Sequence, residues 1–167
     1  MEIALMLCLP RDAASVRVIR QVLDGCLDAL GATADTRTDI ALALGEACAN
    51  VIQHAGPGAE YEVAAEVTGR RCIVEVVNTG ASAAAARAGD GVFPSRGGSS
   101  PRGEEVSLPG DEVPLAAEHG RGLKIMDALV DDLQLRSSTR NGTRVHFEKS
   151  LRWEPGAAGQ HLSGTDR

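Results

Sequence analysis

Residues 41–55 read ALALGEACANVIQHA. Apolar side chains recur here three or four residues apart, which is the spacing of one face of an α-helix. The run Gly-Pro-Gly at 56–58 then ends the pattern, because proline breaks a helix and glycine favours turns. The spacing predicts a helix over about 35–55, with an apolar stripe made of Ile40, Leu44, Cys48, Val51 and Ala55.

Two polar residues in this stretch, Glu46 and Asn50, lie four positions apart and therefore share a face of the helix. Asp39 lies seven residues before Glu46 and Gln53 seven after it, which extends the polar stripe. One interpretation is a solvated helix face. The other is functional: Glu46 handles a proton, and Asn50 offers a carbonyl oxygen to Mg²⁺, a cation that keeps several waters and takes few protein ligands.

The patterns on either side of this helix predict two further helices and five strands. Asp12 is a suitable N-cap for the first helix and Gly31 a suitable stop, and Arg140-Asn141-Gly142 is typical of a hairpin turn. The predicted elements are strand 2–9, helix 12–30, helix 35–55, strands 60–68 and 71–78, a helix from about 120–122, and strands 132–138 and 143–150. This order indicates a layered α+β domain.

The composition excludes several classes of protein. The chain has 167 residues, a formal net charge of −6 and 43% hydrophobic residues, as one soluble domain does. A nonspecific nucleic-acid binder would carry a basic surplus, and 2% aromatic residues are too few for a base-stacking surface. No apolar run reaches the roughly 18 residues of a membrane span, and no basic region of a secretory signal is present. We therefore expect a cytoplasmic protein with no direct nucleic-acid or membrane partner.

The four cysteines, Cys8, Cys26, Cys48 and Cys72, lack the paired spacing of a zinc site. Free cysteine packs like a small hydrophobic residue. We therefore expect four buried, reduced thiols.

Two segments differ in composition from the predicted core. Twenty of the 33 residues over 81–113 are Gly, Ala, Ser or Pro, and such a segment buries too little apolar surface to offset its ordering entropy. A compact domain keeps a loop of this length as a lid or a disordered insertion. We place a lid insertion at about 81–118 within a single domain over 1–151, followed by a flexible tail over 152–167.

Small and polar residues mark further candidate positions. Gly120-Arg121-Gly122-Leu123 leads from the long loop into a helix, where glycines let backbone N–H groups approach an anion and the helix N-terminus favours negative charge. A flexible hinge would have the same sequence. Asn78-Thr79-Gly80 ends a buried strand, and Gly142-Thr143 begins another. Each is either an ordinary turn or a polar group at a sheet end, where an adenine edge is recognised.

These motifs, in this order, resemble the GHKL (histidine-kinase-like) ATPase superfamily, most closely its branch of anti-sigma-factor serine/threonine kinases. The resemblance covers about residues 2–151. It rests on ALALGEACANVIQHA with Glu46, Asn50 and His54, a strand ending in NTG, a long loop, PLAAEHGRGLKIMDALVDD and NGTRVHFEKSL. It implies a Bergerat-type ATP-binding fold, a two-layer sandwich with helices on one face of a mixed, mostly antiparallel sheet.

The resemblance also implies a role for each matching residue. Glu46 would be the general base for attack on the γ-phosphate, and Asn50 would hold the Mg²⁺ that bridges the phosphates of ATP. Gly120 and Gly122 would anchor phosphates through backbone amides, while His54 would be structural. The nucleotide-binding set implied in this way is Asn50, Asn78, Gly80, Gly120, Arg121, Gly122, Leu123 and Thr143, with Thr143 on the adenine side.

The function implied by the resemblance is that of an ATP·Mg²⁺-dependent serine/threonine protein kinase. Such a protein acts as an anti-sigma factor in partner-switching regulation of transcription. Its partners would be a sigma factor and a STAS-type anti-anti-sigma protein, which it phosphorylates, and it would form a homodimer. An ATPase without a protein acceptor is a further reading.

Asn78 departs from the family pattern, because the chain has VNTG where a DxG motif is expected. An aspartate accepts a hydrogen bond from the adenine amino group, whereas asparagine replaces one of the two oxygens with a donor. Loss of a charge-assisted hydrogen bond costs roughly 1.5–3 kcal/mol, or about ten- to a hundredfold in affinity. Asp90, inside the insertion, is a second candidate for the missing carboxylate. The alternative function is therefore a weakly or non-catalytic protein-binding regulator of the same fold.

Overall fold

The computed structural model describes residues 2–54, 60–78, 121–138 and 142–161. In this part of the chain, three α-helices cover one face of a five-stranded sheet. The elements are β1 (Glu2–Pro10), α1 (Ala13–Ala29), α2 (Ala34–His54), β2 (Glu60–Thr68), β3 (Arg71–Val77), α3 (Gly122–Leu129), β4 (Asp132–Ser138), β5 (Gly142–Ser150) and a 3₁₀ helix (Ala158–His161). The predicted lid over about 81–118, with Asp90, lies outside the described residues.

The sheet has the strand order β1-β2-β3-β5-β4, and all four pairings between the described strands are antiparallel. The predicted two-layer α+β fold is confirmed, with an antiparallel sheet in place of the mixed one. Side chains on each strand alternate between the two faces, so Val63, Ala65 and Val67 of β2 are buried under the helices. The residues between them, Ala64 and Glu66, lie on the opposite face, which no helix covers in the described part of the chain.

Helix α1 begins and ends where the sequence predicts. The Asp12 carboxylate accepts a hydrogen bond from the Ser15 backbone N–H at 2.7 Å, which satisfies one of the free amides of the first turn. Gly31 has φ +78°, a left-handed conformation that favours glycine at the end of a helix. None of the helices in the described ranges combines the length and apolar character that crossing a membrane requires.

The segment after β5 packs against the junction between α1 and α2. The backbone N–H of Glu154 donates to the Gly31 carbonyl, and that of Gly159 donates to the Leu30 carbonyl, each at 2.8 Å. The sequence predicts a flexible tail from residue 152, whereas the structure folds residues 152–161 onto the core. Their backbone hydrogen bonds with the helix junction supply the stabilisation that composition alone does not reveal.

The cysteines divide into two groups. Cys48 and Cys72 are buried, and burial raises the pKa of each thiol to about 12, so both thiols are uncharged and unreactive near neutral pH. Cys8 is exposed and Cys26 is partly exposed. The prediction that all four thiols are buried is wrong for Cys8, which lies on the outer face of the edge strand β1, and for the partly exposed Cys26.

Candidate functional site

Helix α2 carries Glu46 and Asn50 beside its buried face. The residues of that face have no exposed surface; they are Ala43, Leu44, Ala47, Cys48 and Val51. Asn50 is 7% exposed and Glu46 is half-buried. The two residues therefore do not form an ordinary solvated face, since burying a polar side chain costs free energy unless it gains a partner.

The Glu46 carboxylate lies against the first residue of α3. A Cβ atom placed on Gly122 would be 2.6 Å from Glu46 Oε2, which is shorter than any normal contact. Glycine at this position is therefore what allows the carboxylate to approach the helix. The structure brings together two predicted site residues, Glu46 and Gly122, that are far apart in the sequence.

The N-terminus of α3 lies next to this carboxylate. Arg121 occupies the N-cap position, and its own side chain makes no hydrogen bond to the amides of the first turn. A helix N-terminus attracts negative charge, including carboxylate and phosphate groups. An anionic ligand at this helix start would lie beside Glu46. Arg121 is exposed, and Leu123 packs against the core.

Asn50 has an unused hydrogen-bonding atom. Its Nδ2 is buried and has no hydrogen-bond partner in the structure. A buried polar atom without a partner costs about 1–3 kcal/mol, and such atoms in folded proteins call for a specific explanation. A ligand that contacts the side-chain amide of Asn50 supplies one.

Asn78 and Thr143 form a second buried polar pair, at the end of β3 and the start of β5. The Asn78 backbone N–H donates to the Thr143 carbonyl at 2.9 Å, and both residues are fully buried at 0% exposure. Both side-chain amide atoms of Asn78, Oδ1 and Nδ2, are without a hydrogen-bond partner. One acceptor and one donor are thus available to a ligand with complementary groups, such as the amino and ring nitrogens of adenine.

A buried hydrogen-bonded cluster supports α2 from beneath. Cys48, between Glu46 and Asn50 in the sequence, interacts with the Tyr61 hydroxyl, which lies 2.8 Å from Ser15 Oγ. Burial raises the pKa of Tyr61 to about 12, so its hydroxyl stays protonated. The cluster therefore joins α1, α2 and β2.

Lys149 is a residue of this region that the sequence analysis does not identify. Its ammonium group lies 2.8 Å from Asp39 Oδ2 on α2 and also donates to the Leu129 carbonyl at the end of α3. Lys149 continues the inward alternation of Val145 and Phe147 on β5. A charged residue at an inward position of a strand is the signal that could have found it.

Several predicted positions remain untested by the geometry. Gly80 and Gly120 lie outside the described residues, as does the side chain of His54. The described site residues form two groups: Glu46 with Gly122, and Asn78 with Thr143. Asn50 lies one helical turn beyond Glu46 on α2, on the same side.

A family model for the histidine kinase-like ATPase domain matches residues 9–149. The chain belongs to this family. The resemblance expected from the motifs is thereby confirmed.

Curated relatives point in the same direction. The chain is 29% identical over 130 residues to the serine-protein kinase RsbW of Bacillus cereus, covering 76% of this chain and 73% of the relative. It is 26% identical over 129 residues to the protein of the same name from Bacillus mycoides, with the same coverage.

A solved structure shares the fold. The structure of the RsbU and RsbW domains of Rv1364c from Mycobacterium tuberculosis matches with a TM-score of 0.59 and 18% identity over 89% of this chain. This chain spans 32% of the length of that solved chain. The match concerns the fold of the histidine kinase-like domain.

Proposed function

We propose that this protein is an ATP·Mg²⁺-dependent serine/threonine protein kinase that acts as an anti-sigma factor. The observation that carries the proposal is the approach of the Glu46 carboxylate to Gly122 at the start of α3. This approach puts a proton acceptor next to backbone amides suited to phosphate groups. The relatives named serine-protein kinase support the same reaction class.

In the proposed reaction, Glu46 accepts the proton of a serine or threonine hydroxyl as that oxygen attacks the γ-phosphate of ATP. The amides at the start of α3, including that of Gly122, hold phosphate oxygens and stabilise the charge on the transferring group. Arg121 and Leu123 belong to the same helix start, and Gly80 and Gly120 complete the proposed set.

By the family resemblance, Oδ1 of Asn50 would be the magnesium ligand, because Mg²⁺ prefers oxygen donors. The buried Nδ2, which has no hydrogen-bond partner, is a donor and would contact an oxygen atom of the nucleotide. When bound, Mg²⁺ neutralises phosphate charge. Asn78 and Thr143 would hold the adenine ring, with Oδ1 of Asn78 accepting from the amino group and Nδ2 donating to a ring nitrogen.

By the family resemblance, the protein would act in the cytoplasm in regulation of transcription. It would sequester a sigma factor and phosphorylate a STAS-type anti-anti-sigma protein, which releases the sigma factor by partner exchange. A homodimer is part of the same proposal.

Phosphotransfer from ATP in the presence of Mg²⁺ to purified STAS-domain proteins of the same organism tests the proposal. The wild-type chain should label one of them on serine or threonine, and Glu46→Gln should reduce the rate by about 10²–10⁴-fold, the usual contribution of a general base. Glu66→Gln, on the outer face of β2, is the matched control and should leave the rate unchanged. Equal rates for wild type and Glu46→Gln would reject the role of Glu46.

Asn78 supports a second candidate function, a weakly or non-catalytic regulator that binds its partners through the same fold. An uncharged amide stands where the family has a carboxylate, and it is fully buried. Calorimetric titration with ATP and Mg²⁺ separates the two functions. Micromolar binding supports the kinase, whereas no heat at millimolar nucleotide supports the regulator.

A further inference from the structure

Three potential metal ligands lie together on the face of the sheet that the helices leave uncovered. They are Asp132 of β4 and His146 and Glu148 of β5, and one ligand atom from each lies within 4.8 Å of the others. Asp132 is directly opposite Glu148 in the β4–β5 pairing. His146 is two residues before Glu148 and so projects from the same face. The antiparallel pairing thus sets the spacing of all three side chains.

The charges within this cluster are not balanced by its neighbours. Like charges directly opposite each other on paired strands are destabilising, and Asp132 faces Glu148 in this way. Arg71 Nη1 lies 3.4 Å from Glu148 Oε2, with 67% of its side chain exposed, and Arg144, two residues before His146 on the same face, is paired with Glu75 at 3.5 Å. An exposed ion pair of this kind contributes little. Gln134 donates to Asp132 Oδ2 at 3.1 Å without changing the net charge.

We propose that Asp132, His146 and Glu148 bind a divalent transition-metal ion of the Zn²⁺ class. One imidazole nitrogen and two carboxylate oxygens form a three-ligand set that leaves further positions for water. His146 Nε2 lies 3.6 Å from Glu148 Oε1, close to the ~3.4 Å that separates two ligands of a tetrahedral zinc ion. Rotation of the exposed Asp132 side chain brings in the third ligand.

The donor types distinguish this ion from magnesium. Mg²⁺ and Ca²⁺ favour all-oxygen ligand sets, whereas imidazole suits Zn²⁺, Co²⁺ and Ni²⁺. The cluster lies across the sheet from Asn50, on the outer face, so it is separate from the proposed nucleotide site. The inference therefore does not depend on the proposed function.

A bound ion would tie the beginning of β4 to β5. Asp132 is the first residue of β4 and closely follows the end of α3 at Leu129. On the inner face of β5, Lys149 already binds the Leu129 carbonyl. An ion on the outer face would add a second attachment at the same junction and stabilise the folded state by mass action.

Titration of the full chain with Co²⁺, followed by its visible absorption, and with Zn²⁺, followed by thermal unfolding, tests the site. The background variant Cys8→Ser removes the exposed thiol as a competing ligand. We expect saturable binding of one ion, a rise in melting temperature with Zn²⁺, and no comparable rise with Mg²⁺. His146→Ala and Glu148→Gln should each weaken binding by about tenfold or more, because losing a residue that merely hydrogen-bonds to a metal ligand already costs about that much.

Two further variants make the outcome decisive. His161→Ala removes an exposed histidine of the 3₁₀ helix and should leave binding unchanged. Arg71→Ala removes the cation beside Glu148 and should strengthen binding. Identical titrations for wild type and His146→Ala, or no saturable binding by the wild type, would overturn the proposal.

Discussion

The polar groups around Lys149 and those around Asn50 and Asn78 differ in how completely they are partnered. Lys149 has two partners, the Asp39 carboxylate and the Leu129 carbonyl. Asn50 and Asn78 are at least as deeply buried, yet together they leave three side-chain atoms without a hydrogen bond. A buried polar group with partners stabilises the fold, whereas one without partners costs stability and is retained where it meets a ligand. Lys149, Asp39 and the Leu129 carbonyl therefore form a structural clasp, whereas Asn50 and Asn78 have atoms that a ligand can engage.

Apart from Glu46→Gln, the largest effect is expected from a change at Gly122. A Cβ there would meet Glu46 Oε2, the mobile end of a side chain, so Gly122→Ala should push the carboxylate away without unfolding the protein. A displacement of about 1 Å in a positioned catalytic group can cost about 10²-fold in rate. The measurement is the rate of phosphotransfer from ATP, together with thermal unfolding.

Gly25→Ala is the matched control for this variant. Nothing lies within 4 Å of a Cβ at Gly25, in the middle of α1. The substitution should leave phosphotransfer unchanged and raise the free energy of unfolding by up to about 1 kcal/mol through helix propensity. If Gly122→Ala were as active as Gly25→Ala, the contact between Glu46 and α3 would have no catalytic meaning.

A smaller effect, about ten- to a hundredfold in nucleotide affinity, is expected from Asn78→Asp. In the absence of ATP, the new carboxylate would be buried without a partner, which lowers the free energy of unfolding. In the presence of ATP, it would accept a charge-assisted hydrogen bond and bind adenine more tightly by roughly 1.5–3 kcal/mol. The measurements are calorimetric titration with ATP·Mg²⁺ and unfolding with and without nucleotide.

Asn78→Ala removes the side-chain amide altogether and is the control in the same experiment. It should weaken ATP binding and remove two unpartnered atoms from the core, so its unfolding free energy without nucleotide should not fall as that of Asn78→Asp does. Unchanged ATP affinity in both variants would mean that Asn78 does not contact the nucleotide.

The elements of the fold were predictable, because their signals are local and strong. The stripe from Ile40 to Val51 repeats at helical spacing, and α2 was predicted over 35–55 and is found at Ala34–His54. The contact between Glu46 and Gly122 was not predictable from residues alone, since it depends on how α2 packs against α3. The family resemblance implied that Glu46 and Gly122 belong to one site, and the structure shows how closely they approach each other.

The C-terminal segment shows why composition alone predicted a flexible tail where residues 152–161 are folded onto the core. Gly and Ala residues over 155–159 indicate disorder when read as composition. In the structure, a Cβ on Gly159 would lie 2.3 Å from the Trp153 ring, so the small residue is what lets the segment fold back over the indole. The sequence shows the glycine, but it does not show that the Trp153 ring packs against it.

The smallest effect is expected at the clasp, from Lys149→Met. The substitution keeps the apolar stem and removes the ammonium group, so Asp39 and the Leu129 carbonyl lose their shared partner. Because the Lys149 and Asp39 side chains are 17% and 27% exposed, water replaces part of the interaction, and the free energy of unfolding should fall by about 1–2 kcal/mol. Lys124→Met, at an exposed position on α3, should change it by less than about 0.5 kcal/mol.

A double-mutant cycle tests whether the ion pair of the clasp contributes to stability alone. Asp39→Asn and Lys149→Met remove the same ion pair, so their combined effect on urea unfolding should be smaller than the sum of the single effects. ATP affinity should change far less in these variants than in Asn78→Asp, because the clasp touches no proposed nucleotide ligand. The contrary result is that Lys149→Met weakens ATP binding by as many kcal/mol as it lowers the free energy of unfolding. The clasp and the proposed binding site would then be coupled, and the distinction between partnered and unpartnered polar groups would be wrong.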